Sequence, residues 1–192
     1  MARRPLSKQP IPENAKRVFQ GKIFAVYQWE QKLFDGTKTI FEKIKRPDTV
    51  NVFPVTNKGK IILSKQRQPG DQPFVGCLGG RIDKNETPLQ AAKRELLEEG
   101  GFKAKKFILW EASHLLEKID WVIYNFIAKD LIKVDKTITD PGEKIELFSV
   151  TFDQFLKIIT QDNFRDIEIA LKLLKIKENP NELEKVRQFF EG

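Results

Sequence analysis

Residues 79–102 constrain the fold more than any other stretch. They read GGRIDKNETPLQAAKRELLEEGGF, a glycine pair, a polar turn, a capped helix and a second glycine pair. Thr87 suits the N-cap, Pro88 the first helical position, and Gln90, at the N3 position, completes a capping box. Gly100 and Gly101 stop the run, so a helix is predicted over residues 87–99. Leu89, Ala92 and Leu96 supply an apolar stripe to anchor it on a sheet. Glu95, Glu98 and Glu99 fall at i, i+3 and i+4 and share one side. A face that is merely solvated usually alternates Glu with Lys at that spacing, so three like charges together point to a bound cation. Hard cations such as Mg²⁺ take carboxylate and carbonyl oxygens. Glu86 offers a further carboxylate, Arg94 can pair with a neighbouring Glu, and Gly79 and Gly80 permit a tight backbone path beside them.

Around this segment the sequence alternates strand and turn signals. Residues 18–29 and 38–45 read as strands of a hairpin turning at Asp35-Gly36. Residues 50–55 and 60–64 read as a second hairpin around Asn57-Lys58-Gly59, and residues 74–78 as a short strand entering the glycine pair. Residues 107–111, 121–128 and 145–150 are further strands, and residues 152–159, 166–177 and 182–190 are late helices. This order predicts an α+β sandwich with a mixed sheet. It divides into a basic flexible tail over residues 1–17, an antiparallel hairpin extension over 18–46, and a main domain over 47–192. The hairpin carries Ile23, Phe24, Val26, Tyr27, Trp29, Leu33 and Phe41. That is more apolar surface than two strands bury by themselves, and it predicts a homodimer. Trp110, Cys77 and the late-helix Phe residues read as packing.

Composition narrows the function classes. Cys77 is the only cysteine, which excludes an intrachain disulfide and a cysteine-rich zinc site. No apolar run follows the basic start, so neither a signal segment nor a membrane span is expected, and the location is read as cytoplasmic. A net charge of +7 suits an anionic partner such as a nucleotide. Lys and Glu are interspersed, however, and a lysine-rich surface explains the same number.

The acidic segment resembles the Nudix signature, GX₅EX₇REUXEEXGU with U a bulky apolar residue. Gly80, Glu86, Arg94, Glu95, Leu96, Glu98, Glu99, Gly101 and Phe102 fill every specified position. With each residue type at about 5–7% usage, a chance match is on the order of one in ten million. The resemblance implies a Nudix-type α/β/α sandwich and a hydrolase dependent on Mg²⁺ or Mn²⁺. It implies Glu95 and Glu99 as direct metal ligands, Glu98 as a ligand or its partner, and the Gly79 carbonyl as a main-chain ligand. Glu98 and Glu99 then serve catalysis, with Gly80, Glu86 and Arg94 supporting the loop.

Upstream, residues 21–46 resemble the N-terminal hairpin of ADP-sugar pyrophosphatases, and residues 64–69, SKQRQP, resemble their strand before the box. This implies that Phe41 stacks on adenine and that Arg46 and Arg67 meet the base, ribose or diphosphate. Ile23 stands where some members have a second stacking aromatic, and Trp29 is the candidate to replace it. Glu143 resembles a mobile-loop glutamate that acts as general base or extra metal ligand. The implied reaction cleaves ADP-ribose or another NDP-sugar to a nucleoside monophosphate and a sugar phosphate. No proline lies between Pro88 and Pro141, where ADP-ribose-preferring members carry one, and Ser113-His114-Leu115 is read as a different loop, which leaves the sugar open. Rival readings are a Nudix enzyme acting on (d)NTPs or RNA 5′ ends, or a binder of nucleotide or RNA without turnover. The carboxylate cluster argues against the binder, which has no need of it.

Overall fold

The structure is a computed structural model and describes residues 3–134, 142 and 144–192. Among these, eleven strands and four helices form three sheets and two apolar cores.

The N-terminal sheet has the order β1-β2-β3-β9, from Lys16–Gln20, Ala25–Lys32, Lys38–Lys45 and Ile119–Asp120. The predicted hairpin is β2 and β3. Gly36 takes φ 87°, and Asp35 accepts hydrogen bonds from the Thr37 amide at 2.9 Å and hydroxyl at 2.6 Å. The single strand expected over residues 18–29 is two strands, because the Gly21 amide donates to the Phe24 carbonyl at 2.7 Å and turns the chain. The predicted tail lies against this sheet. Arg4 pairs with Asp48 and Asp120, and Lys43, 1% exposed, donates to Ser7 Oγ and the Gln9 carbonyl.

The central sheet has the order β7-β4-β10-β8, from Leu78–Arg81, Thr49–Pro54, Val122–Lys133 and Phe102–His114. Only β4 and β10 run parallel, so the sheet is mixed as predicted. Strand alternation sends Val50, Val52, Tyr124 and Phe126 to one face, where they pack on helix α1, Pro88–Glu98. Phe53 and Ile127 face the other way, onto α2, α3 and α4 at Phe152–Ile158, Ile167–Lys177 and Pro180–Glu191. A third sheet, β11-β5-β6 from Lys144–Val150, Ile61–Arg67 and Phe74–Gly76, closes that second core.

Two expectations change here. Strands β4 and β5 do not form a hairpin. The Asn57-Lys58-Gly59 turn forms, but only Val55 and Ile61 bridge, and β5 crosses to pair with β11 and β6. Ile61 and Leu63 thereby pack in one core with Phe53 instead of lying beside it. The stripe on α1 is also shifted: Ala91, Ala92 and Leu96 are fully buried, while Leu89 is 40% exposed. His114 ends β8 instead of sitting in a loop, and its Nε2 lies 3.1 Å from the Pro5 carbonyl. No helix of the described residues is long and apolar enough to cross a membrane.

Candidate active site

Helix α1 begins as its sequence dictates. Thr87 Oγ1 accepts from the Gln90 amide at 3.3 Å, and Gln90 Oε1 accepts from the Thr87 amide at 2.8 Å. Its other end carries the acidic cluster and no basic residue in the last turn, where the helix dipole is negative. One guanidinium offsets this. Arg94 holds Glu86 through two bonds of 3.0 Å, and it donates to Glu95 at 2.7 Å and Glu98 at 3.0 Å. It also donates to the Arg81 carbonyl at 2.9 Å, tying the helix to β7. Arg94 thus joins Glu86, the helix and β7 through one guanidinium.

Charge states follow from these contacts. The Arg94 guanidinium holds Glu86 below the usual carboxylate range. Glu95 is 7% exposed, and burial pushes its pKa up despite Arg94. Glu99, the C-cap, accepts from the Gly79 amide at 2.8 Å, which brings the Gly79 main chain to the end of the helix. Gly79 has φ 151°, and a Cβ there would strike the Val50 carbonyl; a Cβ on Gly80 would strike the Glu95 carboxylate. Gly79 is not replaceable in this packing, because the obstacle is backbone, while a side chain on Gly80 would displace the Glu95 carboxylate.

Among the described residues no three carboxylate, His or Cys groups already converge as a cage. The donor set nevertheless fits a hard divalent cation: a buried carboxylate whose charge is disfavoured, two more within a turn, and a main chain bent toward them. Glu95, Glu98, Glu99 and the Gly79 carbonyl are the residues that would hold it.

Arg46 follows β3 of the N-terminal sheet, its amide donating to the Asp120 carbonyl at 3.3 Å. Its guanidinium stacks 4.4 Å from the Trp121 ring and 5.8 Å from Phe24, and its Nε is buried without a hydrogen-bond partner. Burial, and then the nearby Arg81, lower its pKa. A partly buried guanidinium whose Nε lacks a partner, beside a second one, is an arrangement an anion can complete. The other predicted binding residues are dispersed. Phe41 is half-buried, with Lys118 Nζ 5.0 Å from its ring centroid. Arg67 is exposed at the end of β5, opposite Lys144. Trp29 is 6% exposed, packed 6.2 Å from Phe41, which leaves no ring face open for a base; it is a packing residue of the hairpin. Glu143 lies outside the described residues.

A family model, NUDIX domain, matches residues 45–171. The chain belongs to the Nudix family. An ADP-ribose pyrophosphatase of Bacillus subtilis (strain 168) is 32% identical over 168 residues, 85% of this chain and 91% of that protein. A methanol dehydrogenase activator of Bacillus methanolicus is 28% identical over 169 residues, 85% and 91% of the two chains. A crystal structure of an ADP compounds hydrolase has a TM-score of 0.70 at 21% identity, covering 92% of this chain and 98% of that one. This last likeness shows the α+β Nudix fold.

Several polar residues on the α3 side of the central sheet were missed in the sequence. Asp166 accepts from the Cys77 amide at 2.8 Å and its thiol at 3.0 Å, pinning the loop between β6 and β7; burial pushes the Cys77 thiol up. Asn51 donates to Glu168 at 2.7 Å, and Asn125 is fully buried. Both amides interrupt apolar strands, VNVFPV and VIYNFIA, and that interruption was the available signal.

Proposed function

We propose that this Nudix hydrolase cleaves the diphosphate of ADP-ribose or a related NDP-sugar, giving a nucleoside monophosphate and a sugar phosphate. The observation that carries this reading is the acidic end of α1 facing a bent glycine backbone, with Arg46, whose buried Nε lacks a partner, close enough to Arg81 of β7 to feel its charge. The relatives named for ADP-ribose and ADP compounds support the substrate class. Mg²⁺ or Mn²⁺ bound at Glu95, Glu98, Glu99 and the Gly79 carbonyl would neutralise diphosphate oxygens and lower the pKa of water. Arg94 holds Glu86, Glu95 and Glu98 in register through the reaction. Arg46 and Arg67 bind phosphate or base through forked donors, and Phe41 offers a ring to adenine. Glu143 is assigned the role of accepting the proton of the attacking water.

The protein acts on this reading in the cytoplasm, on a small nucleotide and not on nucleic acid or at a membrane. The hairpin forms a homodimer. Val18, Phe19, Phe24 and Ile40 support that assembly, being 53%, 56%, 43% and 61% exposed on one small sheet. A dimeric mass by light scattering at micromolar concentration is expected, and a monomer across that range contradicts it. The substrate is tested by kcat/KM for ADP-ribose, ADP-glucose, UDP-glucose and 8-oxo-dGTP under one set of conditions. A sugar nucleotide is expected to lead. A preference of tenfold or more for the triphosphate, about 1.4 kcal/mol, refutes the sugar-nucleotide assignment.

A further inference from the structure

Four residues stand in one row across the central sheet. Gly79 on β7 registers with Asn51 on β4, Asn51 with Asn125 on β10, and Asn125 with Glu111 on β8. Register partners in adjacent strands share a face, so the side chains of Asn51, Asn125 and Glu111 line up from the glycine outward. Helix α3 flanks the row: Glu168 accepts from Asn51 Nδ2 at 2.7 Å, and Lys172 pairs with Glu111 at 2.7 Å.

Asn125 is the informative member. It is 0% exposed on an inner strand, and neither its amide nitrogen nor its amide oxygen has a hydrogen-bond partner. Leaving such a group unsatisfied costs about 1–3 kcal/mol, and an apolar side chain between Ile123 and Ile127 avoids that cost entirely. The amide is therefore a poor choice for the fold alone, and it sits in a cluster whose remaining members are also polar.

We propose that Asn51, Asn125, Glu111 and Glu168 bind the hydroxyl groups of the sugar half of the substrate. This rests on the reading of the site as an NDP-sugar pyrophosphohydrolase and names the part of the molecule that the row takes. The row begins at Gly79, whose amide holds Glu99, and Asn125 lies two strands away, about 10 Å. A sugar on a phosphate held at the Gly79 main chain, the edge-strand end of the row, spans that interval. A vicinal diol presents donors and acceptors together, which is what a free carboxamide and adjoining carboxylates offer. Burial, and then Asp166, hold the Glu168 pKa at about 7, so at neutral pH this carboxyl both donates and accepts. A nucleobase is a worse occupant, because it wants an open aromatic face: the rows on either side supply Thr49, Ile123 and Ser113, and Phe53 and Ile127, and the neighbouring Trp110 ring is already engaged by Phe53, Phe190 and Lys172. The Lys172–Glu111 pair is half-exposed and worth about 0–1 kcal/mol, so it yields readily to a ligand.

The test compares ADP-ribose with the methyl ester of ADP, which keeps the nucleoside and diphosphate but has no second sugar. In Asn125→Leu, the ratio of kcat/KM for ADP-ribose to that for the methyl ester is expected to fall at least tenfold, about 1.4 kcal/mol, without a lower Tm. Glu168→Ala, which removes both donor and acceptor, reads the same ratio if the leucine variant does not fold, and is expected to lower it at least threefold. An unchanged ratio, with both substrates falling in parallel or neither moving, overturns the sugar site. Wild-type turnover decides the parent reading separately: turnover of both compounds with an unchanged variant ratio refutes only the row, and no wild-type turnover of either refutes both.

Discussion

The loop and helix of residues 79–102 and Asn125, in the row on the α3 face of the central sheet, treat their polar groups in opposite ways. In the helix, Arg94 serves three carboxylates and a carbonyl, Glu99 takes the Gly79 amide, and Thr87 and Gln90 cap each other. In the row, Asn125 has no partner, and at Arg46 a buried Nε has none either. Satisfied groups stabilise a fold, whereas unsatisfied buried ones cost stability and mark where a ligand completes the structure. The comparison separates residues that build the site from residues that read the substrate.

The largest expected effect tests the chemistry of the satisfied region. Glu99→Gln should lower turnover by about 10²–10⁴-fold with saturating Mg²⁺, while the fold, judged by circular dichroism, is kept. Undiminished turnover would detach the helix from the mechanism. Arg94→Met should follow, destabilising the protein by about 2–3 kcal/mol in urea unfolding, because Glu86, Glu95 and Glu98 lose their common cation. A loss below about 0.5 kcal/mol, the range of an ordinary surface change, would erase the contrast with the row.

Much of that first region was legible because its physics is local. A capping box, a glycine pair and i, i+3, i+4 spacing lie within two dozen residues, and the structure realises the helix as Pro88–Glu98 with Thr87 as cap. The row was not legible, since Gly79, Asn51, Asn125 and Glu111 meet only through strand pairing between distant segments, one of them a parallel crossover. The missing β4–β5 hairpin has the same origin. A turn signal at Asn57-Lys58-Gly59 specifies the reversal, but burial of Ile61 and Leu63 against Phe53 decides which sheet receives the next strand. Trp29 shows the converse, where an aromatic in a strand was packing.

Two smaller effects sharpen the comparison. Glu168 has its pKa raised from an ordinary 4.5 to about 7, so between those values the folded protein keeps a proton that the unfolded chain has released. Stability from this carboxyl is fully present below pH 4.5 and is lost as pH rises through 7. Glu168→Gln should therefore gain about 1–3 kcal/mol relative to wild type between pH 5 and pH 8.5. A pH-independent difference in unfolding free energy would place Glu168 in an ordinary solvated setting. Last, Thr87→Ala should cost about 1 kcal/mol through the lost cap, with kcat within twofold of wild type.

The most direct test of the central claim follows ADP-ribose incubated with the wild-type protein and resolves the products by chromatography, with Mg²⁺ and after chelation. AMP and ribose 5-phosphate are expected in equal amounts, with turnover lost on chelation and restored by added Mg²⁺. Turnover indifferent to chelation, or products other than this pair, would contradict it.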